Sequence, residues 1–544
     1  MPVIDLQPGN SIVPLLRCDV CIVGSGPAGA TLARELSGSG LSIVLLESGG
    51  TTRQAENDAL NDIDNVGRPR ASDQWSVRNR ILGGSSHTWG GRCGPFDAID
   101  FEHREWVDHS GWPIAMKELD PYLERSAVHL GLAVGTGYSN DRFWGISGRP
   151  APKEEFRANL LLPFFWQFSR DDAESYPFEY MRFGRHIAKR LGSNVTTVIG
   201  ATALRLLVDD TRNKVGGLEF ATGDGRTHTL AAGSVVLCAG GIENARLLLN
   251  SHEPGRPALG NDRDQVGRYL MDHLRGPAAF ISVPGSAALQ RRFGRYNVQG
   301  RFFRAGLRLS PAVQREERLL NCAAWLGETL APDDPWDAMR RLAARKPKLP
   351  DDLVDVARNI PLMVRGAVDY FVARNGLPRK LRELTLECMC EQMPDADSRV
   401  TLSDRRDRHG MPLPKIDWRS HPAEARTMHR MAELVASEFS RLNFPTAALA
   451  DWVRDKAPIP TSFVDVAHPT GTTRMSSDPA NGVVDVDCQV HGVEGLYVSG
   501  SSVFPTAGHC NPTQMIVAMA IRLADHVREK AQRPLVLEMM ARVG

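Results

Sequence analysis

Three glycines and one carboxylate carry the most legible chemistry in this chain. In CDVCIVGSGPAGATLARELSGSGLSIVLLESGG, Gly24, Gly26 and Gly29 spell G-x-G-x-x-G between an apolar run and an Ala- and Leu-rich stretch, and Glu47 closes the next apolar run. Glycines so spaced allow a tight turn, close approach of backbone to a pyrophosphate at a helix N-terminus, and close helix-on-strand packing. The acid can accept hydrogen bonds from ribose hydroxyls. A second stretch, GGSSHTWGG at residues 83–91, sets two hydroxyls, a histidine and a tryptophan between glycines. His87 is open there to three readings: a cofactor tether, a base, or a loop residue beside a cofactor.

The elements that must position these groups follow from the local pattern. Residues 18–47 read as strand, turn, helix, strand, the setting in which the glycine pattern signifies a dinucleotide site. Residues 190–233 alternate apolar and polar and read as antiparallel strands with a D-G turn. The chain has 544 residues, 42% hydrophobic and 24% charged, enough for two sizeable cores. Its 65 basic and 64 acidic residues give a net charge of +1; a nucleic-acid partner is not expected. No run approaches the ~20 apolar residues of a membrane span, and the first residues lack the pattern of a secretory leader. Nine scattered cysteines do not form a disulfide framework and point to a reducing, cytoplasmic setting. Cys18 and Cys21 form C-x-x-C, but within a strand residues three apart face opposite sides, so they read as buried thiols.

Three further stretches carry a family resemblance. RNRILGGSSHTWGGRCGPFDAIDFE (78–102), SVVLCAGGIENARLLLNS (234–251) and the block from VAHPTGTTRM to CNPTQMIVAMAIRLADHV (466–527) resemble, in order and spacing, the glucose-methanol-choline (GMC) family of FAD-dependent oxidoreductases. The tryptophan after G-G-S-S, the VGRYLMDH element at 266–273 and the N-P-T sequence are similar to the pyranose oxidase and bacterial sugar or polyol dehydrogenase branch. Trp89 departs from the Asn or His of alcohol and glucose oxidases, and Gly500 from the Asp of their D-A-S.

The resemblance implies an α/β fold in which a Rossmann-like FAD-binding domain, p-hydroxybenzoate hydroxylase-like, interleaves with an α+β substrate domain on an antiparallel sheet. Residues 15–105, 190–275 and 460–530 are expected in the first, and 106–189 and 276–459 in the second, with a helical insertion at 333–380. It implies FAD contacts at Gly24, Gly26, Gly29, Glu47, Arg80, Gly84, Ser85, Thr88, Trp89, Gly90, Ala203, Gly500, Ser501, Asn511 and Thr513, and no metal. Flavin oxidation of an alcohol requires a base for the hydroxyl proton while flavin N5 accepts the hydride. The family's positions for base and hydrogen-bonding partner carry His468, in HPTGT, and Asn511, in CNPTQ. His509 is expected on the same face as Asn511, either as a substrate or flavin contact or in a structural role, and His273 lies at a position that resembles one near the family's flavin. Pyranose oxidases with covalent FAD carry S-T-H-W, whereas this chain reads S-H-T-W; His87 is displaced by one position and FAD is expected to bind non-covalently.

Phe164, Phe165 and Trp166 read as core or as pocket lining. The insertion reads as a solvated helical segment, a lid, an oligomer contact or a membrane-lying surface. The activity implied is oxidation of an alcohol on a sugar, glycoside or polyol, with oxygen, a quinone or a carrier protein as acceptor, and oligomerisation is open. The alternatives are a non-sugar alcohol, a flavin monooxygenase, or a non-catalytic flavin-binding protein. A monooxygenase would need NAD(P)H, yet the chain has no second G-x-G-x-x-G and its LYVSGSS lacks a G-D dipeptide.

Overall fold

The computed structural model describes residues 3–7, 17–70, 74–135, 139–153, 155–174, 179–343, 348–369 and 377–543, with side chains to residue 531. Two eight-stranded sheets organise them. The first has the order Val3–Asp5, Val195–Ile199, Ile43–Glu47, Arg17–Val23, Thr227–Leu237, Val215–Thr222, Ala201–Val208, and Leu496–Val498 also pairs with Thr227–Leu237. Its Val3-to-Leu237 half and the Leu496 strand pair in parallel. The last two strands form antiparallel hairpins. The central strands Ile43–Glu47 and, from Val20, Arg17–Val23 are continuously buried, with helix Pro27–Glu35 packed on them.

Residues 195–199 correct the antiparallel reading of 190–233: Val195–Ile199 lies parallel between Val3–Asp5 and Ile43–Glu47. Its burial is nearly continuous, as its central place demands. The hairpins from Ala201 to Leu237 do run antiparallel.

The second sheet is antiparallel, in the order Ala447–Leu449, Leu274–Ile281, Leu381–Cys390, Cys322–Leu330, Arg301–Leu309, Leu161–Phe168, Arg92–Cys93, and Arg295–Val298 also pairs with Arg301–Leu309. Phe164, Phe165 and Trp166 are buried within it; they are core. Helices Pro335–Ala343, Asp351–Arg358 and Ile360–Ala367 lie in the expected insertion, whose residues 344–347 and 370–376 fall outside the described residues. All nine cysteines are buried and unpaired. No helix among the described residues is long and apolar enough to cross a membrane.

Candidate active site

A cavity of about 520 Å³ runs between the sheets, lined by the first glycine turn, by the 84–92 stretch, and by His468 and Asn511. Each glycine of the first motif has its own reason. At Gly24, φ is +100° and a Cβ would sit 2.7 Å from the Cys238 carbonyl oxygen. At Gly29 it would sit 1.9 Å from the Gly24 oxygen, the contact between helix and strand. Gly26 has nothing within 4 Å on the side of its missing Cβ and lines the cavity, so backbone is bare there for a ligand.

Ser25, which the motif leaves unspecified, ties the turn together. Its Oγ donates to Glu47 Oε2 at 2.6 Å and accepts from the Gly83 N–H at 2.9 Å. The Ser25 and Gly49 N–H groups also donate to the Glu47 carboxylate, at 3.1 and 2.8 Å. Burial raises the Glu47 pKa, against these hydrogen bonds. Oε2 is thus committed to the turn, while Oε1 keeps an acceptor position at the cavity wall.

Arg80 lines the cavity through a fixed guanidinium that donates to Asn61 Oδ1 at 2.9 Å and Ser48 Oγ at 3.1 Å, and pairs with Glu243 at 2.9 Å. Arg78 and Arg246 also pair with Glu243. Burial would raise this acid, yet Arg246, Arg80 and Arg78 bring it down to about 2. Three guanidiniums around Glu243, with Asp407 on Arg246 as the second acid, leave surplus positive charge facing the cavity, which suits a pyrophosphate.

Gly84, Ser85, Thr88, Trp89 and Gly90 line the cavity, as do Ala203, Ser501 and Thr513. Ala203 sits beside an irregularity in the hairpin register, and Thr513 begins the helix Thr513–Val543, whose positive end therefore faces the cavity. Gly500 adopts φ +114°, a conformation that residues with a side chain rarely take, and sets the turn before Ser501. His87 points elsewhere: its Nε2 lies 2.9 Å from the Leu82 carbonyl oxygen, and it does not line the cavity.

The histidines show which atom can act as a base. His273, fully buried, places Nε2 3.0 Å from the Gly508 carbonyl and Nδ1 3.0 Å from His468 Nδ1. A carbonyl only accepts, so His273 donates from Nε2 and, when neutral, accepts at Nδ1. His468 must then donate from Nδ1, which leaves its Nε2 unprotonated, an acceptor. Asn511 Nδ2 lies 3.2 Å from that Nε2, and Asn511 Oδ1 is buried without a hydrogen-bond partner among the described residues. Desolvation, then the charges of His273, Arg275 and Arg92, hold the His468 pKa well below the usual histidine range. His468 is a neutral base.

The loop that carries it is anchored on Asp272, which sequence reasoning passed over although it adjoins His273. Its carboxylate accepts from the backbone N–H of His273 at 2.8 Å and of His468 at 3.0 Å, and pairs with buried Arg70 at 2.8 Å. Ala467, just before the base, sits at φ +60°, a strain of about 1–3 kcal/mol that these bonds hold in place.

His509 does not join this group, contrary to the same-face expectation. Gly508 turns at φ +61° and the chain bends, so His509 enters the core 3.5 Å from Asp97 and 3.9 Å from Asp100, edge-on to Phe164. Burial opposes its charge, but the Cys510 sulfur and the Asp97 and Asp100 carboxylates outweigh that and raise its pKa well above the usual range. It is a structural cation away from the cavity. The Asp272, His273, His468 and Asp97, Asp100, His509 groups are each tight enough to suggest a metal site. Their carboxylates already accept from backbone N–H, Asn321 or Arg70.

The comparisons with known proteins agree on the family. Profiles described as GMC oxidoreductase match residues 185–275 and 394–520, and one described as FAD binding domain matches 17–58. The chain belongs to the GMC oxidoreductases. This GMC oxidoreductase is 26% identical to paromamine 6'-oxidase of Streptomyces fradiae, covering 94% of this chain and 91% of that one. It is also 26% identical to the C-glycoside 3-oxidase of Microbacterium trichothecenolyticum, covering 94% and 97%. A formate oxidase structure from Aspergillus oryzae RIB40 shares the fold with a TM-score of 0.55, 18% identity, and coverage of 95% and 99%. As a GMC oxidoreductase it uses FAD to oxidise CH–OH groups, and the bare backbone at Gly26 and the cationic wall fit that cofactor.

Replacing Gly24 by Ala is expected to give a protein that purifies with little flavin, because the new Cβ collides with the Cys238 carbonyl at the mouth of the turn. The flavin-to-protein absorbance ratio measures this; a wild-type ratio would contradict the placement of FAD on that turn.

Proposed function

We propose that the chain oxidises an alcohol group on a sugar, glycoside or related polyol to the carbonyl, with His468 as the base and Asn511 as its hydrogen-bonding partner. The observation that carries this is the chain of bonds from the Gly508 carbonyl through His273 to His468, which leaves Nε2 unprotonated at the cavity. An alcohol hydroxyl entering between His468 and Asn511 donates to Nε2 and accepts from Asn511 Nδ2, replacing the bond those two now make to each other. His468 then holds the proton at Nε2 while its Nδ1–H stays bonded to His273. Bound FAD supplies the oxidising power by accepting the hydride of the carbinol carbon. The sugar-like substrate class is supported by the two oxidases above, whose names specify paromamine and C-glycosides.

Anaerobic mixing with a panel of sugars, glycosides, aminocyclitols and aromatic alcohols tests this reading. Productive alcohols should bleach the ~450 nm band of the oxidised flavin. Rapid bleaching by NADPH with no alcohol present would instead point to a monooxygenase. Stoichiometric peroxide during aerobic turnover identifies oxygen as the acceptor, and its absence a quinone or carrier protein. The buried, unpaired cysteines support a reducing compartment such as the cytoplasm.

Two further outcomes follow from the same geometry. Because the base works unprotonated and its pKa is lowered, flavin reduction should persist as pH falls through ~6.5 and decline only in more acid solution. A pH profile of the anaerobic reduction rate shows this, and an acid limb at or above the ordinary histidine pKa would contradict it. Because His87 faces Leu82, acid precipitation should release FAD into the supernatant; yellow colour retained in the pellet would show a covalent link.

A further inference from the structure

We propose that the alcohol oxidised here also carries an oxyanion group, a carboxylate or a phosphate, and that Arg92, seconded by Arg275, binds it beside His468. The inference rests on the reading of the cavity as an alcohol-oxidising site and names its substrate class.

Arg92 lies in the short strand Arg92–Cys93, just past the GGSSHTWGG stretch, and lines the cavity with His468, Arg275 and Trp325. Its guanidinium sits over the Trp325 ring at 5.0 Å and over Trp166 at 5.9 Å. Among the described residues it has no hydrogen bond and no carboxylate partner. Three buried guanidiniums are treated differently: Arg70 pairs with Asp272 and Asp465, Arg104 with Glu391 at 2.6 Å, and Arg246 with Asp407 at 2.7 Å. Arg474, equally buried over Tyr269, donates instead to the His109 carbonyl; at Arg92 neither an acid nor a carbonyl is supplied, and the fork is left to the cavity it lines.

The neighbours deepen the positive potential. Arg275 also lies over the Trp325 ring, 5.7 Å from its centroid, and pairs with Glu387 at 3.5 Å. Arg304 spends its guanidinium on the Leu326 carbonyl. Burial, together with Arg304, Arg275 and Arg295, lowers the Arg92 pKa to about 9, so it stays charged at neutral pH and gains from an incoming anion. Such an anion would also offset the Arg92 and Arg275 charges that depress His468, making the base stronger when substrate is in place. A cationic amino sugar meets repulsion from the same groups.

The test compares uronates and aldonates, sugar phosphates, neutral sugars and amino sugars by anaerobic flavin reduction. In parallel, acetate and inorganic phosphate, which cannot be oxidised, are titrated against the flavin absorption band. An anionic class should be preferred over its neutral counterpart by about tenfold or more, as expected for a charge-assisted bond. That ratio and the affinity for the inert anion should both fall about tenfold in Arg92→Gln, while Arg92→Lys keeps part of each. The carboxylate and phosphate arms show which oxyanion the fork fits. Better reduction by neutral or amino sugars than by every anionic one, or an unchanged ratio in Arg92→Gln, overturns the inference alone. Failure of every alcohol to reduce the flavin overturns the oxidation reading, and this inference with it.

Discussion

Replacing His468 by Ala is expected to slow anaerobic reduction of the bound flavin by its alcohol by ~10²- to 10⁴-fold, the usual contribution of a positioned general base. FAD should remain bound, since the glycine turn, Glu47 and the arginines around Glu243 are untouched. The size of the loss reflects the absence of a substitute. His273 is committed to His468 and the Gly508 carbonyl. His509 is held as a cation by Asp97 and Asp100 inside the core. Asn511 cannot accept a proton at neutral pH. Stopped-flow absorbance reads the effect, and retention of more than about a tenth of the wild-type rate would remove His468 from the role of base.

Asp272→Ala is expected to be the costliest single change in the substrate half of the site, at about 3–5 kcal/mol. Asp272 is fully buried and holds the turn on both sides of the base, through the backbone of His273, Val466 and His468. It is also half of the anionic partnership of Arg70, whose guanidinium is stacked 5.1 Å over Trp418 and, among the described residues, otherwise pairs with Asp465 at 3.0 Å. Losing the carboxylate leaves a buried cation undercompensated and frees Ala467 to relax from φ +60°, carrying His468 away from Asn511. Thermal unfolding of the FAD-loaded protein should begin at markedly lower temperature, with flavin reduction impaired in the surviving fraction. A loss under about 1 kcal/mol would show that the loop is held by other contacts.

What the sequence reveals of this molecule is what the chain encodes locally. Gly24, Gly26, Gly29 and Glu47 sit within one strand-turn-helix-strand unit, so spacing alone places them around one turn. Ser25 occupies a free position of the same motif, and its link to Gly83 joins segments that no local pattern connects. Val195–Ile199 resembled a hairpin strand because short apolar runs do not disclose their pairing; neighbours 150 residues away make it parallel. His509 was misplaced because the same-face rule holds only for extended backbone, and Gly508 breaks it. Arg92, Arg275 and Trp325 come from three strands of the antiparallel sheet. Their convergence is a tertiary fact, and the only signal in the chain was an arginine placed directly after Gly90 and Gly91.

The availability of the His468 Nε2 lone pair can be observed without any substrate. In FAD-loaded protein with ¹⁵N-histidine, the resonance missing from His468→Gln identifies this residue. The hydrogen-bond chain predicts a neutral ring at neutral pH, with the proton on Nδ1 and Nε2 unprotonated. An imidazolium, or a neutral ring with its proton on Nε2, would contradict the assignment of His468 as the base.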